Sequence, residues 1–423
     1  MMKLRIGGLQ WSMGMILLPL MVGWGQWDRG PDLPLPRAGA AAVVFEGAVY
    51  ILGGKTNNNT LLNTVDRYDP RTGQWEAAAL PNFPKPRYNA AAVVFQNQIY
   101  LIGGVGMGGQ VLRSVEVYDP AQNKWFSVHR MHYGRQGHVA VVLNGKICVL
   151  GGSENLGYEY ADDIEWYDSA ANDWEESDSE LPEGRAAPFI GVVNNGIYLF
   201  GGYYIQPTSE ALVGRPDSSG EFSWFSLPPL SSPRAYGGSV TLGETIYLIG
   251  GVGSNGRATA RVESFRVPEN AYAQEPSLQI PRSGMATVLL DSIIYVMGGY
   301  DQNNASILSS MEMLNLRYTS LKASDDPISV PADFVQLWGY PNPFNGRLTL
   351  EVGLKTVSDI ELSVFNLRGQ RIRRIYRGTL TGGVHRFAWD ARDDQQHRVA
   401  SGVYFAVVKA GSYVRKFKIV YVR

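Results

Sequence analysis

Six arginine residues recur along the chain at a nearly constant spacing. Each one stands sixteen residues before the first glycine of a Gly-Gly pair: Arg37, Arg87, Arg135, Arg185, Arg234 and Arg282. A guanidinium group binds planar anions such as carboxylate, sulfate and phosphate through paired hydrogen bonds. If a closed fold brings the six together at one mouth of a channel, they predict a binding ring for an anionic ligand. Alternatively, each arginine pairs with an acid or a backbone carbonyl and fixes the shape of its own repeat.

Residues beside these arginines break the repeat and are better candidates for ligand contacts. They are Tyr88, Asn89, Gln136, His138 and Tyr236. Thiol and imidazole groups are scarce, because the chain has one Cys and five His. Cys148 occupies the register in which the other five repeats have Tyr, so we interpret it as a core residue. We expect no metal site and no cofactor, and no pattern marks a catalytic residue.

The composition favours an all-β protein. Of the 423 residues, 48 are Gly, 10 are Trp and 23 are Tyr, while only 18% are charged. A chain so rich in turn-forming and aromatic residues is typical of β repeat proteins. The hydrophobic content of 45% excludes intrinsic disorder. The net charge of −1 argues against a nucleic-acid partner.

A repeat of about 49 residues organises residues 26–316. The Gly-Gly pairs begin at Gly53, Gly103, Gly151, Gly201, Gly250 and Gly298, and a second register is aromatic: Trp27, Trp75, Trp125, Trp174, Trp224 and Tyr272. The first copy predicts four short strands: Ala40–Phe45, Val49–Leu52, Leu62–Tyr68 and Gln74–Ala77. Such a unit cannot bury its faces alone, so six copies predict a six-bladed β-propeller. The glycine pairs let neighbouring backbones approach closely.

The phase of the repeat predicts how the propeller closes. The chain enters the repeat at an outer strand near Trp27 and leaves it after the third strand of the last copy, near Leu316. The N-terminal strand should therefore complete the sixth blade. Such closure removes the exposed sheet edges that invite aggregation.

These features resemble the kelch family. The resemblance rests on the Gly-Gly pair, on the downstream segments Val65–Pro70, Val115–Pro120 and Ile164–Asp168, and on a Trp seven residues after the Tyr of each segment. In eukaryotic kelch adaptors, arginines at matching positions contact acidic peptides. The resemblance therefore implies that the loop face bearing the six arginines is the binding face.

A second domain is predicted at residues 337–423, after a polar linker at 317–336. Alternating segments predict six or seven short strands and an immunoglobulin-like β-sandwich: Leu348–Leu354, Ile360–Phe365, Arg371–Tyr376, Val384–Trp389, Gly402–Val408 and Val414–Val420. The domain resembles the C-terminal sorting domain of type IX secretion cargo, a family that overlaps the immunoglobulin-like domain of flagellar hook-capping proteins. The residues that carry the resemblance include Pro341, Asn342, Pro343, Phe344, Asn345, Gly402, Tyr404, Lys416 and Lys418. It implies recognition by an outer-membrane translocon; a permanent structural domain is the alternative.

The first 25 residues have the pattern of a signal peptide. Lys3 and Arg5 precede an apolar run from Met13 to Val22, and small residues follow it. The run is too short to span a bilayer, so we expect cleavage and no membrane span in the mature protein.

We therefore expect an exported protein, secreted or held at the outer-membrane surface. Its propeller is expected to bind a glycan or an extracellular protein, and the ligand is anionic if the arginines form the site. Two alternatives stay open: a carbohydrate-active enzyme of the sialic acid mutarotase type, which we favour less, and a purely structural surface protein.

Overall fold

A computed structural model of the chain describes residues 26–156, 159–217, 219–303, 305–316, 335–340, 344–354, 357–381, 383–410 and 413–422. The predicted signal peptide and residues 317–334 of the predicted linker lie outside this part of the chain. Pro341, Asn342 and Pro343 of the predicted sorting motif also lie outside it. Among the described residues, no helix has the length and apolar character needed to cross a membrane.

Six four-stranded antiparallel sheets are arranged as the blades of a propeller. The strands of the first three blades, preceded by an N-terminal strand, are β1 (Asp28–Arg29), β2 (Ala41–Phe45), β3 (Ala48–Leu52), β4 (Val65–Asp69), β5 (Gln74–Leu80), β6 (Ala91–Phe95), β7 (Gln98–Ile102), β8 (Val115–Asp119), β9 (Lys124–Val128), β10 (Val139–Leu143), β11 (Lys146–Leu150), β12 (Ile164–Asp168) and β13 (Asp173–Glu176). A short 3-10 turn, Met107–Gly109, lies in the second blade.

The last three blades also carry extra two-residue strands, which form a small hairpin in the fourth blade and a pair between two loops in the fifth. Their strands are β14 (Phe189–Val193), β15 (Gly196–Phe200), β16 (Tyr203–Tyr204), β17 (Gln206–Pro207), β18 (Ala211–Pro216), β19 (Phe222–Ser226), β20 (Arg234–Ala235), β21 (Gly238–Leu242), β22 (Thr245–Ile249), β23 (Val252–Gly253), β24 (Val262–Arg266), β25 (Ala271–Glu275), β26 (Ala286–Leu290), β27 (Ile293–Met297) and β28 (Met311–Asn315). The first strand of each blade lines the central channel. The second strands are nearly continuous apolar runs, because neighbouring blades cover both of their faces.

The N-terminal strand completes the sixth blade, as the phase of the repeat predicts. β1 pairs antiparallel with β28, with Asp28 opposite Met313 and Arg29 opposite Glu312. The indole of Trp27 is 2% exposed, and its Nε1 donates a hydrogen bond to the carbonyl of Pro276 at 2.7 Å. The two ends of the repeat are therefore held together inside one sheet.

The glycine pairs join each blade to the next. The amide of the second glycine donates a hydrogen bond of 2.8–3.0 Å to the carbonyl of the arginine in the following blade, and Gly299 closes the circle by donating to Arg37. A Cβ on the first glycine would stand 2.3–2.7 Å from the same carbonyl, and both glycines have positive φ. No residue with a side chain fits there, so the close approach predicted for these pairs is confirmed.

The side chain of each arginine binds within its own blade. Each guanidinium donates to the carbonyl of the first glycine of its pair, at 3.0–3.4 Å. Each also forms an ion pair with an acid at the start of the third strand: Asp66, Glu116, Glu165, Glu210, Glu263 and Glu312, in blade order. All six arginines are at most 1% exposed. Each arginine therefore connects two strands of one blade through its side chain and two blades through its main chain.

His138 packs between the second and third blades. Its Cε1 lies 2.7 Å from where a Cβ on Gly103 would stand, and the Cε of Met285 fills the equivalent space beside Gly250 at the same distance. Neither ring nitrogen of His138 has a hydrogen bond of good geometry, although the backbones of Arg135 and Ile102 lie near enough to oppose part of the pKa shift. Burial, and next the charge of Arg135, lower the pKa of His138 to about 3. The ring is therefore neutral and is held where a thioether would fit without polar atoms to satisfy.

The second domain is a seven-stranded sandwich. A three-stranded sheet contains β29 (Val335–Tyr340), β30 (Leu348–Leu354) and β33 (Gly383–Trp389). A four-stranded sheet contains β31 (Ser358–Asn366), β32 (Arg371–Leu380), β34 (Gly402–Ala410) and β35 (Tyr413–Tyr421). The first strand begins at Val335, inside the segment predicted as linker up to residue 336, because a short alternating run precedes Gly339 there. In the first blade the third strand begins at Val65 instead of Leu62, whose amide bonds the carbonyl of Gly54.

We expect the arginine pairs to differ in their effect on stability. Arg87→Leu leaves Glu116 charged and 0% exposed, whereas Arg185→Leu leaves Glu210, whose side chain is 42% exposed, in contact with water. Breaking a buried ion pair lowers the free energy of unfolding by about 3–5 kcal/mol, and the loss is much smaller when the remaining carboxylate is hydrated. Urea denaturation of both variants measures the difference. Equal losses of unfolding free energy would contradict the proposed role of burial.

We expect His138→Met to stabilise the propeller by about 1–3 kcal/mol, because it removes two unsatisfied nitrogens. The gain should grow as the pH falls. Below the ordinary pKa of 6.5 the unfolded histidine takes up a proton that the folded one refuses until about pH 3. Wild-type stability is therefore lost across this window by up to about 1.4 kcal/mol per pH unit. Urea denaturation at several pH values tests this, and parallel pH curves for the two proteins would refute it.

Candidate functional site

A closed ring of backbone hydrogen bonds surrounds one mouth of the channel. It is formed by the residue two positions after each arginine: Gly39, Asn89, Gly137, Ala187, Tyr236 and Gly284. Each amide donates to the carbonyl of the ring residue in the preceding blade at 2.6–3.0 Å, and the amide of Gly39 donates to Gly284. All six residues have φ between 48° and 64°. The ring therefore fixes the six blade entries relative to one another.

Two members of the ring hold a backbone conformation that disfavours their side chains. Glycine and asparagine adopt positive φ readily, but Ala187 has φ 48° and Tyr236 has φ 55°. A bulky residue in this region costs about 1–3 kcal/mol, and such strain concentrates at functional sites. Tyr236 is therefore the strongest single indication of a site at this mouth.

Tyrosine rings continue outward from Tyr236 over the third and fourth blades. The centroid of Tyr236 lies 6.1 Å from that of Tyr203, and Tyr203 lies 6.1 Å from Tyr160. Tyr160 meets Tyr204 edge to face at 5.4 Å. Burial, and next the neighbouring tyrosines, raise the pKa of Tyr236 to about 12, so its hydroxyl is a neutral donor.

A second group faces the mouth from the first, second, third and sixth blades. Lys55 Nζ lies 4.8 Å above the ring of Tyr88 and 5.6 Å from that of Tyr300. Asn89 Nδ2 donates a hydrogen bond of 2.9 Å to Gln136 Oε1. The structure therefore brings together Tyr88, Asn89 and Gln136 of the predicted residues. The channel beneath is a cavity of about 240 Å³, lined by small residues that include Ala40–Ala42 and Ala90–Ala92.

Sequence reasoning missed Lys55, Tyr160, Tyr203, Tyr204 and Tyr300. The signal that could have found three of them is the position directly after the Gly-Gly pair. In the structure this position forms a β-bridge with the residue after each arginine, as Tyr203 does with Ala186 and Tyr300 with Ser283. Tyr160 and Tyr204 lie in loops of irregular length, for which the repeat gives no register.

The six predicted arginines do not form an exposed ring. Arg37, Arg87, Arg135, Arg185, Arg234 and Arg282 are buried and paired with acids, so the geometry fits the alternative in which each arginine fixes its own blade. A signal for this pairing is present in the sequence: in five blades an acid is the second residue of the third strand. His138 is buried below the mouth, and a group with a pKa of about 3 is a weak proton acceptor at neutral pH.

Metal and thiol chemistry find little support in the described residues. No group of three His, Cys, Asp or Glu side chains there is placed to hold a metal ion. Cys148 lies fully buried in β11, opposite Trp166, and burial raises the pKa of its thiol. It is a core residue with an unreactive thiol.

The described residues of the predicted sorting motif have two different positions. Phe344 is buried with its ring 5.6 Å from Trp389 and 5.0 Å from Tyr421. Tyr404 is also buried, and its hydroxyl donates to the carbonyl of Ala400 at 2.7 Å. Asn345, Lys416 and Lys418 are exposed, and Gly402 begins β34. The aromatic residues therefore build the sandwich core, and the lysines lie on its surface.

Comparison with known proteins agrees with this architecture. A family model described as the KLHDC2/KLHL20/DRC7 Kelch-repeats domain matches residues 21–202, a Kelch motif model matches residues 281–317, and an FlgD Ig-like domain model matches residues 342–413. The solved structure of YjhT superposes with a TM-score of 0.59 over 67% of this chain and 95% of YjhT, at 19% identity, which is a likeness of fold.

Curated relatives share the repeat region. Kelch-like protein 40 of Xenopus laevis is 30% identical over 189 residues, which cover 44% of this chain and 22% of that protein. Alpha-scruin of Limulus polyphemus is 30% identical over 252 residues, which cover 57% of this chain and 22% of alpha-scruin. Kelch-like ECH-associated protein 1B of Danio rerio is 40% identical over 58 residues, which cover 13% of this chain and 10% of that protein. The chain spans about a fifth or less of the length of these relatives. It contains kelch-repeat domains and an FlgD-type immunoglobulin-like domain, folded as a six-bladed kelch β-propeller followed by a β-sandwich.

Proposed function

We propose that the propeller is an interaction module that binds a glycan or an extracellular protein on the face around the hydrogen-bonded mouth. The observation that carries this proposal is Tyr236, a bulky residue with φ 55° in a ring where glycine or asparagine would serve without strain. A position that breaks a local rule with no structural gain is expected at a functional site.

The groups offered to a ligand are aromatic rings, neutral polar groups and one cation, Lys55, which lies over Tyr88 and near Tyr300. Tyrosine faces can stack on a sugar ring or an apolar side chain, and their hydroxyls can supply a hydrogen bond. The buried arginines cannot take this role, because each already has an acid partner. The reason for expecting an anionic ligand is thereby removed. A protein partner is also in keeping with the name of one relative, which describes association with another protein.

We further propose that the protein is exported and that its sandwich directs type IX secretion. The N-terminal sequence pattern and the motif resemblance support this proposal. Lys416 and Lys418 support it too, because both stand exposed on β35. The protein would then be secreted or held at the outer-membrane surface.

The binding proposal predicts that Tyr236→Asn weakens ligand binding without unfolding the protein. Asparagine already occupies the ring at position 89, with φ 52°, so the backbone can keep its conformation. Ala187→Asn is the matched control in the same ring. On an array of acidic glycans, neutral glycans and extracellular proteins, the Tyr236 variant should lose at least about tenfold in affinity, as for an aromatic anchor. Equal binding by both variants and wild type would contradict the proposal that the ligand binds at the mouth.

The sorting proposal predicts that Lys416→Ser with Lys418→Ser lowers the secreted fraction while the domain stays folded, because both side chains are exposed. Arg368→Ser, in an exposed turn, is the control. Protein in the medium and in the periplasm is compared by quantitative blotting. A second variant lacking residues 340–423 should remain in the periplasm. Unchanged secretion of that truncated chain would disprove the sorting role.

A further inference from the structure

The exposed apolar side chains on the mouth face are concentrated on one half of it. Met107, Tyr133, Leu156, Tyr204 and Ile205 lie in loops of the second to fourth blades, at 37–70% exposure. In the described loops of the other three blades on this face, the large apolar side chain with comparable exposure is Leu35. Apolar groups exposed together in this way mark interaction surfaces.

Two sets of contacts join these loops across neighbouring blades. A Cβ on Gly109 would stand 3.0 Å from Leu156 Cδ1, which places the second-blade loop against the third-blade loop. Tyr160 then meets Tyr204 at 5.4 Å and Tyr203 at 6.1 Å. The surface therefore runs across three blades, farther than a small molecule reaches.

Carboxylates lie beside the same surface. Residues 154–183 contain twelve Asp and Glu and no Lys or Arg. Four of these acids, Glu165, Asp168, Asp173 and Glu175, are already paired with side chains outside this segment, and Arg113 and Arg130 are exposed in the neighbouring loops.

Glu176 lies opposite Glu165 in the sheet, and the Glu165 carboxylate accepts a hydrogen bond from the amide of His132, next to Tyr133. The charges of Glu176 and Asp163 accordingly raise the pKa of Tyr133. Among the described residues, Glu154, Asp163 and Glu176 form no ion pair. We define the acidic patch as the surface formed by these residues: Tyr133, Glu154, Leu156, Asp163, Glu176 and Tyr204.

We propose that the acidic patch docks a basic polypeptide segment, one that presents lysine or arginine side chains between apolar ones. Apolar groups of the partner would cover Leu156 and Tyr204. Its cations would meet unpaired carboxylates and tyrosine faces, which attract cations through the ring quadrupole. Opposite charges at a surface of this kind accelerate association and select the partner. This inference rests on the proposed binding function and replaces the anionic ligand with a cationic one.

The test uses the full chain and three labelled peptides of equal length and leucine content, with Lys, Glu or Ser at the other positions. Fluorescence anisotropy measures binding at about 50 mM and about 300 mM salt. The Lys peptide should bind at least about tenfold more tightly than the Glu peptide, and high salt should weaken it severalfold. Preference for the Glu or Ser peptide would overturn the proposal.

Matched variants distinguish binding at the acidic patch from attraction by the negative charge of the whole protein. Glu154→Gln with Glu176→Gln should weaken Lys-peptide binding at least about fivefold. Glu46→Gln with Glu269→Gln makes the same charge change at exposed turns elsewhere, and Gln96 already occupies the position equivalent to Glu46. Tyr204→Ser should weaken binding without changing the charge. Equal effects of the two double variants, or no effect of Tyr204→Ser, would refute the patch.

The glycan array distinguishes the two levels of the hypothesis. Binding of a glycan through Tyr236, with no binding of the Lys peptide, would leave the interaction module standing and overturn the basic partner. Absence of binding to every probe would count against both.

Discussion

The propeller depends on one contact, the hydrogen bond from the second glycine of each pair to the carbonyl of the next blade's arginine. It requires backbone where a side chain would collide and positive φ at both glycines. The same arginine turns its guanidinium back into its own blade and meets an acid there. One residue per repeat therefore sets both the shape of a blade and the position of the next. The spacing of sixteen residues between arginine and glycine follows from this double role.

The mouth shows what such regularity leaves for function. Six residues form a closed ring of amide-to-carbonyl bonds, and their conformation is the same in every blade. Positions that satisfy this demand in all six repeats cannot distinguish one ligand from another. Selectivity must come from departures. On one side these are Tyr236 in the ring, the tyrosines next to it, and a third blade whose charges are almost all negative; on the other side Lys55 lies against Tyr88 and Tyr300. The opposite side carries polar loops such as Asn57–Asn59.

The sequence predicted the scaffold far better than the site. Two registers of glycine and aromatic residues predict six blades, and the phase of the repeat predicts the shared sixth blade. The role of the arginines could not be read from spacing, because a ring facing the channel and a set of internal pairs have the same period. Burial of Asp66 or Glu165 decides between them, and burial is a property of packing.

The net charge of −1 was also misleading: residues 337–423 hold 15 Lys and Arg against 6 Asp and Glu, and residues 1–336 hold 23 against 33. A sum near zero here hides two strongly charged domains.

The shared blade also has a consequence for the order of folding. Trp27 bonds a carbonyl 249 residues later in the chain, and β1 has no partner until β28 is available. Contacts of such sequence separation form slowly, because a long loop must close first. During synthesis the leading strand must therefore wait until the last blade exists, and an incomplete chain presents an open edge at each end. A chain exported before folding escapes this problem only if β1 and β28 reach the same compartment, so loss of either strand is expected to produce aggregation instead of a smaller propeller.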